Sequence, residues 1–281
     1  MKSLLRLPSF LLVFLACGPA LLADSLVQIH IPLGDMLVEL YDQDKPVTVA
    51  NFRAYIESGR FKDTFVQRWE PGFVIQGGGY FVTNRNTANA LIDLVPTYPP
   101  IVNEYGVGRT FSNVYGTMAM ARVGGKTNSA TSQWFLNLGN NAGLDSVDGG
   151  FTVFGAVMAG TNVLERFNNL NAATNGVWLY KELGGALSKL PVLSPNPSIN
   201  DLVYTSFSLP AWPRVKFAMD PDGTRRLSWN SLSNFVNHLE FSATLPPVWT
   251  TLVNTNGTGG MIEVKDARPA AGRGIYRVRI E

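Results

Sequence analysis

Apolar and polar positions first alternate at Val27, Ile29 and Ile31, which are separated by Gln28 and His30. That is the period of a half-buried strand. Gly34-Asp35 marks a turn and Met36 to Tyr41 reads as a returning strand, so the pattern opens with a hairpin. Pro46 stands where a first helical turn would begin, Val49, Phe52 and Ile56 follow at helical spacing, and Gly59 supplies a stop. An amphipathic helix of about three turns is predicted there. Phe65 to Gly78 returns to short apolar stretches broken by Pro71 and glycines, and Gly116–Arg122, Gln133–Leu138 and Thr152–Val157 read as buried strands. Asn162 to Asn168 brings Val163, Leu164 and Phe167 onto one helical face. Many short strands with only two helices predict a closed antiparallel sheet capped by helices.

From Asn171 to Asn200 the chain is rich in Gly, Pro and Asn with weak periodicity, which predicts a long loop with at most one short helical turn. Val203, Thr205 and Phe207 restore strand alternation within Leu202–Leu209, and Pro210-Ala211-Trp212-Pro213 reads as a linker. Beyond it no helical period appears. Pro221-Asp222-Gly223 is a turn signal before Leu227–Trp229, Leu239 and Phe241 alternate with His238 and Glu240, and Tyr276, Val278 and Ile280 alternate with Arg277 and Arg279. A small β-sandwich is predicted at 216–281, after a linker at 210–215.

With 281 residues, 46% hydrophobic and 16% charged, the chain can bury a sizeable core and suits two units of ordinary size. A formal net charge of +2 without a basic cluster argues against nucleic acid as a partner. Residues 1–23 differ from the rest: Lys2 and Arg6 give a positive start, Leu11–Ala16 is an apolar run, and Ala23 precedes Asp24. This reads as a secretory signal peptide, and the run is too short, and too broken by Gly18-Pro19, for a stable membrane span. The expected product is exported, to a periplasm or beyond the cell. The only cysteine, Cys17, lies in this segment, so cleavage after Ala23 leaves no thiol. Phe14-Leu15-Ala16-Cys17 also allows a second product, a lipoprotein anchored through Cys17.

The common catalytic constellations are poorly supplied. His30 and His238 are the only histidines, both at the outward phase of predicted strands and in different units, which argues against a histidine triad or a two-histidine metal site. Gly77-Gly78-Gly79 lacks the following Lys-Ser/Thr of a phosphate loop and reads as a tight backbone bend. No metal or cofactor is called for. What stands out is one arginine among apolar groups, in Phe65-Val66-Gln67-Arg68-Trp69-Glu70-Pro71-Gly72-Phe73-Val74-Ile75-Gln76-Gly77-Gly78.

That run resembles the core signature of cyclophilins. Gly116-Thr117-Met118-Ala119-Met120-Ala121-Arg122 with Ser129-Ala130-Thr131-Ser132-Gln133-Trp134-Phe135 resembles the bacterial branch of the family, and Asn141-Ala142-Gly143-Leu144-Asp145 leading to Phe151-Thr152-Val153-Phe154-Gly155 adds a third block in order. Asn51-Phe52 in the first helix also fits. The resemblance spans residues 25–209. It implies a mainly β fold, an eight-stranded antiparallel barrel capped by two helices, here followed by the small β-sandwich. It also implies peptidyl-prolyl cis-trans isomerase activity on proline-containing polypeptides. Arg68 would be the catalytic group and Gln76 would orient it or meet the substrate backbone. Phe73, Val74, Phe135 and Leu144 would line a proline pocket, Ala121 and the main chain of Arg122 would hold the preceding residues extended, and Phe151 matches a position that is histidine or tyrosine in many relatives.

Residue type suits this chemistry. Rotation about an X-Pro bond breaks amide resonance, at a barrier of about 18–20 kcal/mol, and requires neither acid nor nucleophile. A guanidinium stays charged and presents a rigid fork of donors to the nitrogen lone pair that forms as the amide twists. The chain departs from the family at Gly143, where relatives carry Trp or Phe, which removes one pocket wall and argues against cyclosporin binding. Val74 replaces a commoner Met, and Trp134 a usual Phe. The C-terminal unit resembles fibronectin type III-like or immunoglobulin-like modules of exported proteins. Its expected roles are spacing or attachment to the envelope, with a glycan contact through Trp212 and Trp249 as a further option.

Overall fold

The computed structural model describes residues 24–266 and 274–281; the predicted signal peptide, with Cys17, lies outside them. Strands β1 (Leu26–Ile31) and β2 (Gly34–Leu40) form the predicted hairpin, with Val27 opposite Val38 and Ile29 opposite Met36. Helix α1 (Pro46–Glu57) has Pro46 in its first turn, where the missing N–H has no helical partner to lose, and buries Val49, Phe52 and Tyr55. The stretch predicted as short apolar pieces is two strands, β3 (Thr64–Glu70) and β4 (Val74–Thr83). After them come β5 (Leu91–Leu94), β6 (Thr117–Met120), β7 (Trp134–Asn137), β8 (Val153–Ala159), α2 (Thr161–Asn168), α3 (Ala172–Asn175), β9 (Trp178–Tyr180), β10 (Leu190–Val192) and β11 (Ser206–Ser208).

Eight of these strands run antiparallel in the order β11-β1-β2-β8-β6-β7-β4-β3, and β5 pairs with β4 off that path. The ends meet where Val66 N–H donates to Val203 O at 2.9 Å and Thr205 N–H to Thr64 O at 2.8 Å, nearly closing a barrel. Val27, Ile29, Val38, Leu40, Met118 and Leu136 fill its interior, joined by Phe52 from α1 and by Val163, Leu164 and Phe167 from α2. Full burial of one such side chain contributes about 1.5–3 kcal/mol.

Trp134 points into this interior, edge-on to Phe207 with ring centroids 5.9 Å apart. The larger ring fits because the glycines of β4 yield space: a Cβ on Gly77 would lie 2.5 Å from the indole, and Gly78 has φ +78°. The three glycines are therefore part of a continuous strand with irregular register against β3, rather than the bend expected from sequence.

Residues 171–200 are more ordered than their composition predicts. Besides the four-residue α3, β9 and β10 pair as a hairpin, with Leu190 opposite Tyr180. Leu190 and Val192 pack with Phe65, Val82, Leu202 and Tyr204 in a second apolar cluster on the outside of the barrel. Trp69 N–H donates to Lys189 O at 2.7 Å. Local alternation could not reveal a hairpin this short, because its partners lie on β3 and β4.

Strands β12 (Lys216–Met219), β13 (Arg225–Asn230), β14 (Val236–Ser242), β15 (Thr250–Asn256), β16 (Met261–Asp266) and β17 (Ile275–Ile280) form two three-stranded sheets, β12-β13-β16 and β15-β14-β17. Leu227 and Trp229 of the first pack with Leu239 of the second, so the two sheets share a small core. His238 is buried, contrary to its predicted outward exposure. Its Nδ1 lies 2.7 Å from Asn254 Oδ1 and its Nε2 2.9 Å from Glu281 Oε2. Glu240, of the same phase, is covered by Arg277 and Arg279, whose Nε atoms donate to it at 2.6 and 3.0 Å. Long side chains from the flanking strands fold over the polar face of a central strand, which alternation alone does not reveal.

The sheets dock on the barrel. Leu26, Leu37 and Ala159 meet Leu232, Phe235 and Ile280, with Trp212 and Val278 at the margin, and Asn234 donates to Asp35 at 2.6 Å. The Trp212 indole N–H donates to Asp24 O, so this tryptophan pins the predicted linker to the barrel. Trp249 lies beneath the Arg277 guanidinium, 4.1 Å from its ring centroid.

Candidate active site

The residues singled out from sequence converge on one face of the barrel. Val74, Ala119, Phe135 and Val153 form a buried floor, and Tyr41, Phe73, Phe111, Ala121, Leu144 and Phe151 stand half-buried around it. Register explains part of this: Gln76 on β4 is opposite Phe135 on β7, which is opposite Ala119 on β6. Phe135 and Phe151 meet edge-on at 5.9 Å. Val74 is buried beneath the others, a floor residue rather than a wall.

Arg68 leaves β3 beside this cluster, its side chain 38% exposed and its guanidinium carbon 5.8 Å from the Phe73 ring centroid. One Nη donates to Gln76 Oε1 at 3.4 Å and the other to Glu70 Oε1 at 3.2 Å. Two of five N–H donors are thus engaged, which fixes the plane of the group and leaves donors for a bound molecule. Gln76 in turn donates to Gln133 Oε1 at 2.7 Å, and Gln67 donates to the same oxygen at 3.0 Å. Gln133 was not among the site residues expected from sequence. The available signal was an amide at the head of an otherwise buried strand segment.

Arg122 sends its side chain inward rather than toward solvent, at 3% exposure. It donates to Val147 O at 2.6 Å and lies 4.2 Å from the Phe151 ring centroid. Its cation thereby holds the 147–150 turn and supports Phe151, while its main chain follows Ala121 along the rim.

A buried amide network fixes the walls. Asn137 donates to Thr117 Oγ1 at 2.9 Å and Asn113 Oδ1 at 3.3 Å, and accepts from Asn141 at 2.7 Å. Asn141 also donates to Phe73 O at 2.7 Å, and Asn113 to Phe151 O at 3.1 Å. Asp145 closes the 3-10 turn Ala142–Asp145 that presents Leu144, accepting from Asn113 N and Nδ2 at 2.9 and 2.8 Å and from Ser112. Burial disfavours its charge, but the Ser112 and Asn113 donors outweigh that and hold the Asp145 carboxyl below its ordinary value. Asn141 and Asp145 belong to the third block of the family resemblance, but nothing in the sequence joined them to Asn137, a polar residue inside an apolar run. Phe111, stacked on Tyr41 at 4.0 Å, left no trace, because it sits in a segment without period.

Gly143 is exposed, and a Cβ built there meets no atom within 4 Å. The chain therefore presents no side chain at the position where the family resemblance places an aromatic.

The arrangement offers a half-buried apolar cluster, a tethered guanidinium at its edge and amides beside it. Such a site can select between shapes of a bound peptide but has no nucleophile or base positioned within it. Comparison with known proteins agrees with this chemistry. Residues 26–181 match the family model described as cyclophilin type peptidyl-prolyl cis-trans isomerase/CLD. A peptidyl-prolyl cis-trans isomerase of Acinetobacter baylyi is 35% identical over 158 residues, 56% of this chain and 78% of that protein. Peptidyl-prolyl cis-trans isomerase A of Dickeya dadantii is 38% identical over 145 residues, 51% and 70% of the two chains. Peptidyl-prolyl cis-trans isomerase B of Escherichia coli is 33% identical over 157 residues, 54% and 89%. With its barrel, its apolar cluster beside a tethered arginine and a family match over more than half its length, the chain belongs to the cyclophilin family of peptidyl-prolyl cis-trans isomerases.

Proposed function

We propose that this cyclophilin accelerates X-Pro rotation in exported or envelope proteins by donation from Arg68 to the prolyl nitrogen, with the ring of the proline seated against Phe73, Phe135, Leu144 and Phe151. The observation that carries the reading is the tethered guanidinium of Arg68 at the edge of the apolar cluster, with donors to spare. In the planar amide the nitrogen lone pair is delocalised and accepts nothing. As the bond twists the nitrogen becomes pyramidal, and only then does an N–H of Arg68 gain an acceptor. A donor useful only in the transition state raises kcat rather than binding. Gln76, anchored on Gln133, holds the other side of the guanidinium and contributes an amide to the substrate backbone. Ala121 and the Arg122 main chain hold the residues before proline extended.

The test is a proline-isomerisation assay on a short Ala-Pro-containing peptide, comparing wild type with Arg68→Ala. Loss of most of the acceleration supports the mechanism, and equal rates exclude it. The same result separates the enzyme from a module that only docks proline peptides.

The predicted signal peptide over 1–23 supports export, and the sequence break near 210–215 supports an isomerase unit at 25–209 followed by a separate module at 216–281. N-terminal mass spectrometry of the mature protein tests cleavage after Ala23 against lipidation at Cys17. Cyclosporin, a large apolar ligand, loses the wall at Gly143. Gly143→Trp is therefore expected to tighten cyclosporin inhibition by at least about tenfold, since burying an aromatic contributes upward of about 1.4 kcal/mol. Unchanged inhibition constants in a folded variant would show that the missing wall is not the reason.

A further inference from the structure

Glu70 and Lys189 lie at the back of Arg68 and have no part in the mechanism above. Both Arg68 and Lys189 donate to the same oxygen, Glu70 Oε1. Lys189 is carried by the segment just before β10, and that segment is fastened to β3 by the bond from Trp69 N–H to Lys189 O at 2.7 Å. The β9–β10 hairpin thus ends against the strand that bears Arg68, and its apolar side is anchored on Phe65 and Val82.

We propose that Glu70 is a positioning residue for Arg68, and that the β9–β10 hairpin delivers Lys189 to keep that pairing from neutralising the guanidinium. This rests on the reading of Arg68 as the donor to the prolyl nitrogen. A carboxylate fixes the fork of an arginine better than an amide does, because the hydrogen bond is charge-assisted. A lone carboxylate would also cancel much of the positive potential that favours donation. Lys189, sharing the same oxygen, restores a net positive charge to the three-residue cluster. Gln76 and Glu70 then hold the guanidinium from two sides, with its carbon 5.8 Å from the Phe73 ring centroid.

The charged groups against Glu70 are Arg68 on its own strand and Lys189 from the hairpin. Burial raises the Glu70 pKa, but the bonds from Lys189 and Arg68 outweigh this and hold its carboxyl below the ordinary value. The pairing is therefore complete above the ordinary carboxylate range and is lost as pH falls through the depressed value.

The experiment measures isomerisation of the Ala-Pro peptide by exchange NMR between pH 3.5 and 7, with circular dichroism verifying the fold, for full-length wild type, Glu70→Ala, Glu70→Gln, Lys189→Met, Arg68→Ala and the double variant Arg68→Ala with Glu70→Ala. Glu70→Ala is expected to lower kcat about tenfold with KM little changed, as misorientation of a transition-state donor does. Glu70→Gln keeps an acceptor oxygen and is expected to recover most of that loss while abolishing the acid limb of the profile. Lys189→Met is expected to move that limb to higher pH. In the Arg68→Ala background Glu70→Ala should cost nothing more. If Arg68→Ala is slow but Glu70→Ala retains the wild-type kcat, or the double variant shows additive losses, the positioning role is overturned and the Arg68 mechanism stands. If Arg68→Ala itself is unimpaired, both fall together.

Discussion

Arg68→Ala is expected to lower kcat/KM for the Ala-Pro peptide by about 10²- to 10³-fold, the loss that follows when one donor specific to a transition state is removed from a preorganised site. This corresponds to about 2.7–4 kcal/mol of a barrier near 18–20 kcal/mol, so some residual catalysis from the apolar cluster is expected to persist. Folding is not expected to suffer much. The Arg68 side chain is 38% exposed and its ion pair with Glu70 is partly solvated, which limits the contribution of that pair to stability. Arg68→Lys should fall between the two. An ammonium keeps the charge but cannot reach Gln76, Glu70 and substrate in one plane, and most of the loss should remain. If Arg68→Lys matched the wild type, a point charge rather than a directed donor would be responsible. KM should move far less than kcat in both variants, because the ground-state nitrogen accepts no hydrogen bond.

Asn137→Ala is expected to cost about 3 kcal/mol of stability. Asn137 is fully buried at the hub of the amide network, and its removal strands Asn113 Oδ1 and weakens the hold on Asn141 and Thr117. Each buried partner left unsatisfied costs about 1–3 kcal/mol. For a chain of this size the thermal midpoint should fall by about 10 °C in a melt followed by circular dichroism. The effect should also reach function. Asn141 anchors the carbonyl of Phe73, and Asn113 that of Phe151, so a slackened network is expected to loosen two members of the apolar cluster and raise KM. Asn196→Ala, at an exposed position, serves as the control and should change stability by less than about 0.5 kcal/mol. A midpoint for Asn137→Ala within a degree or two of wild type would mean that the network is dispensable.

Both variants concern residues of very different legibility. Arg68 stood out in the sequence because a charge between apolar residues ahead of a Pro-Gly turn has few structural reasons to be there. Asn137 did not, since one amide inside an apolar run gives no hint of its partners. Glu70 was visible only as a neighbour. Its meaning depends on Lys189, which lies 119 residues further along the chain. His238 shows the same limit from the other side: the alternation of β14 was read correctly, yet the outward phase is covered by side chains from neighbouring strands.

The resemblance to cyclophilins implied the set of apolar groups around Arg68; by local pattern alone the sequence determined the hairpin at the start, the two main helices and the strand bearing Phe135. Those features follow from local rules: alternation for strands, helical spacing for Phe52 and Phe167, and proline and glycine at the ends. Tertiary structure alone decided the near-closure of the barrel through residues 203–205, the inward turn of Trp134 over Gly77, the hairpin of 178–192 behind Arg68, and the amide network beside the apolar cluster. Each of these joins groups far apart in the chain. Hydrophobic periodicity records which face of a segment avoids water, but it does not record which distant segment supplies the cover or the hydrogen-bond partner.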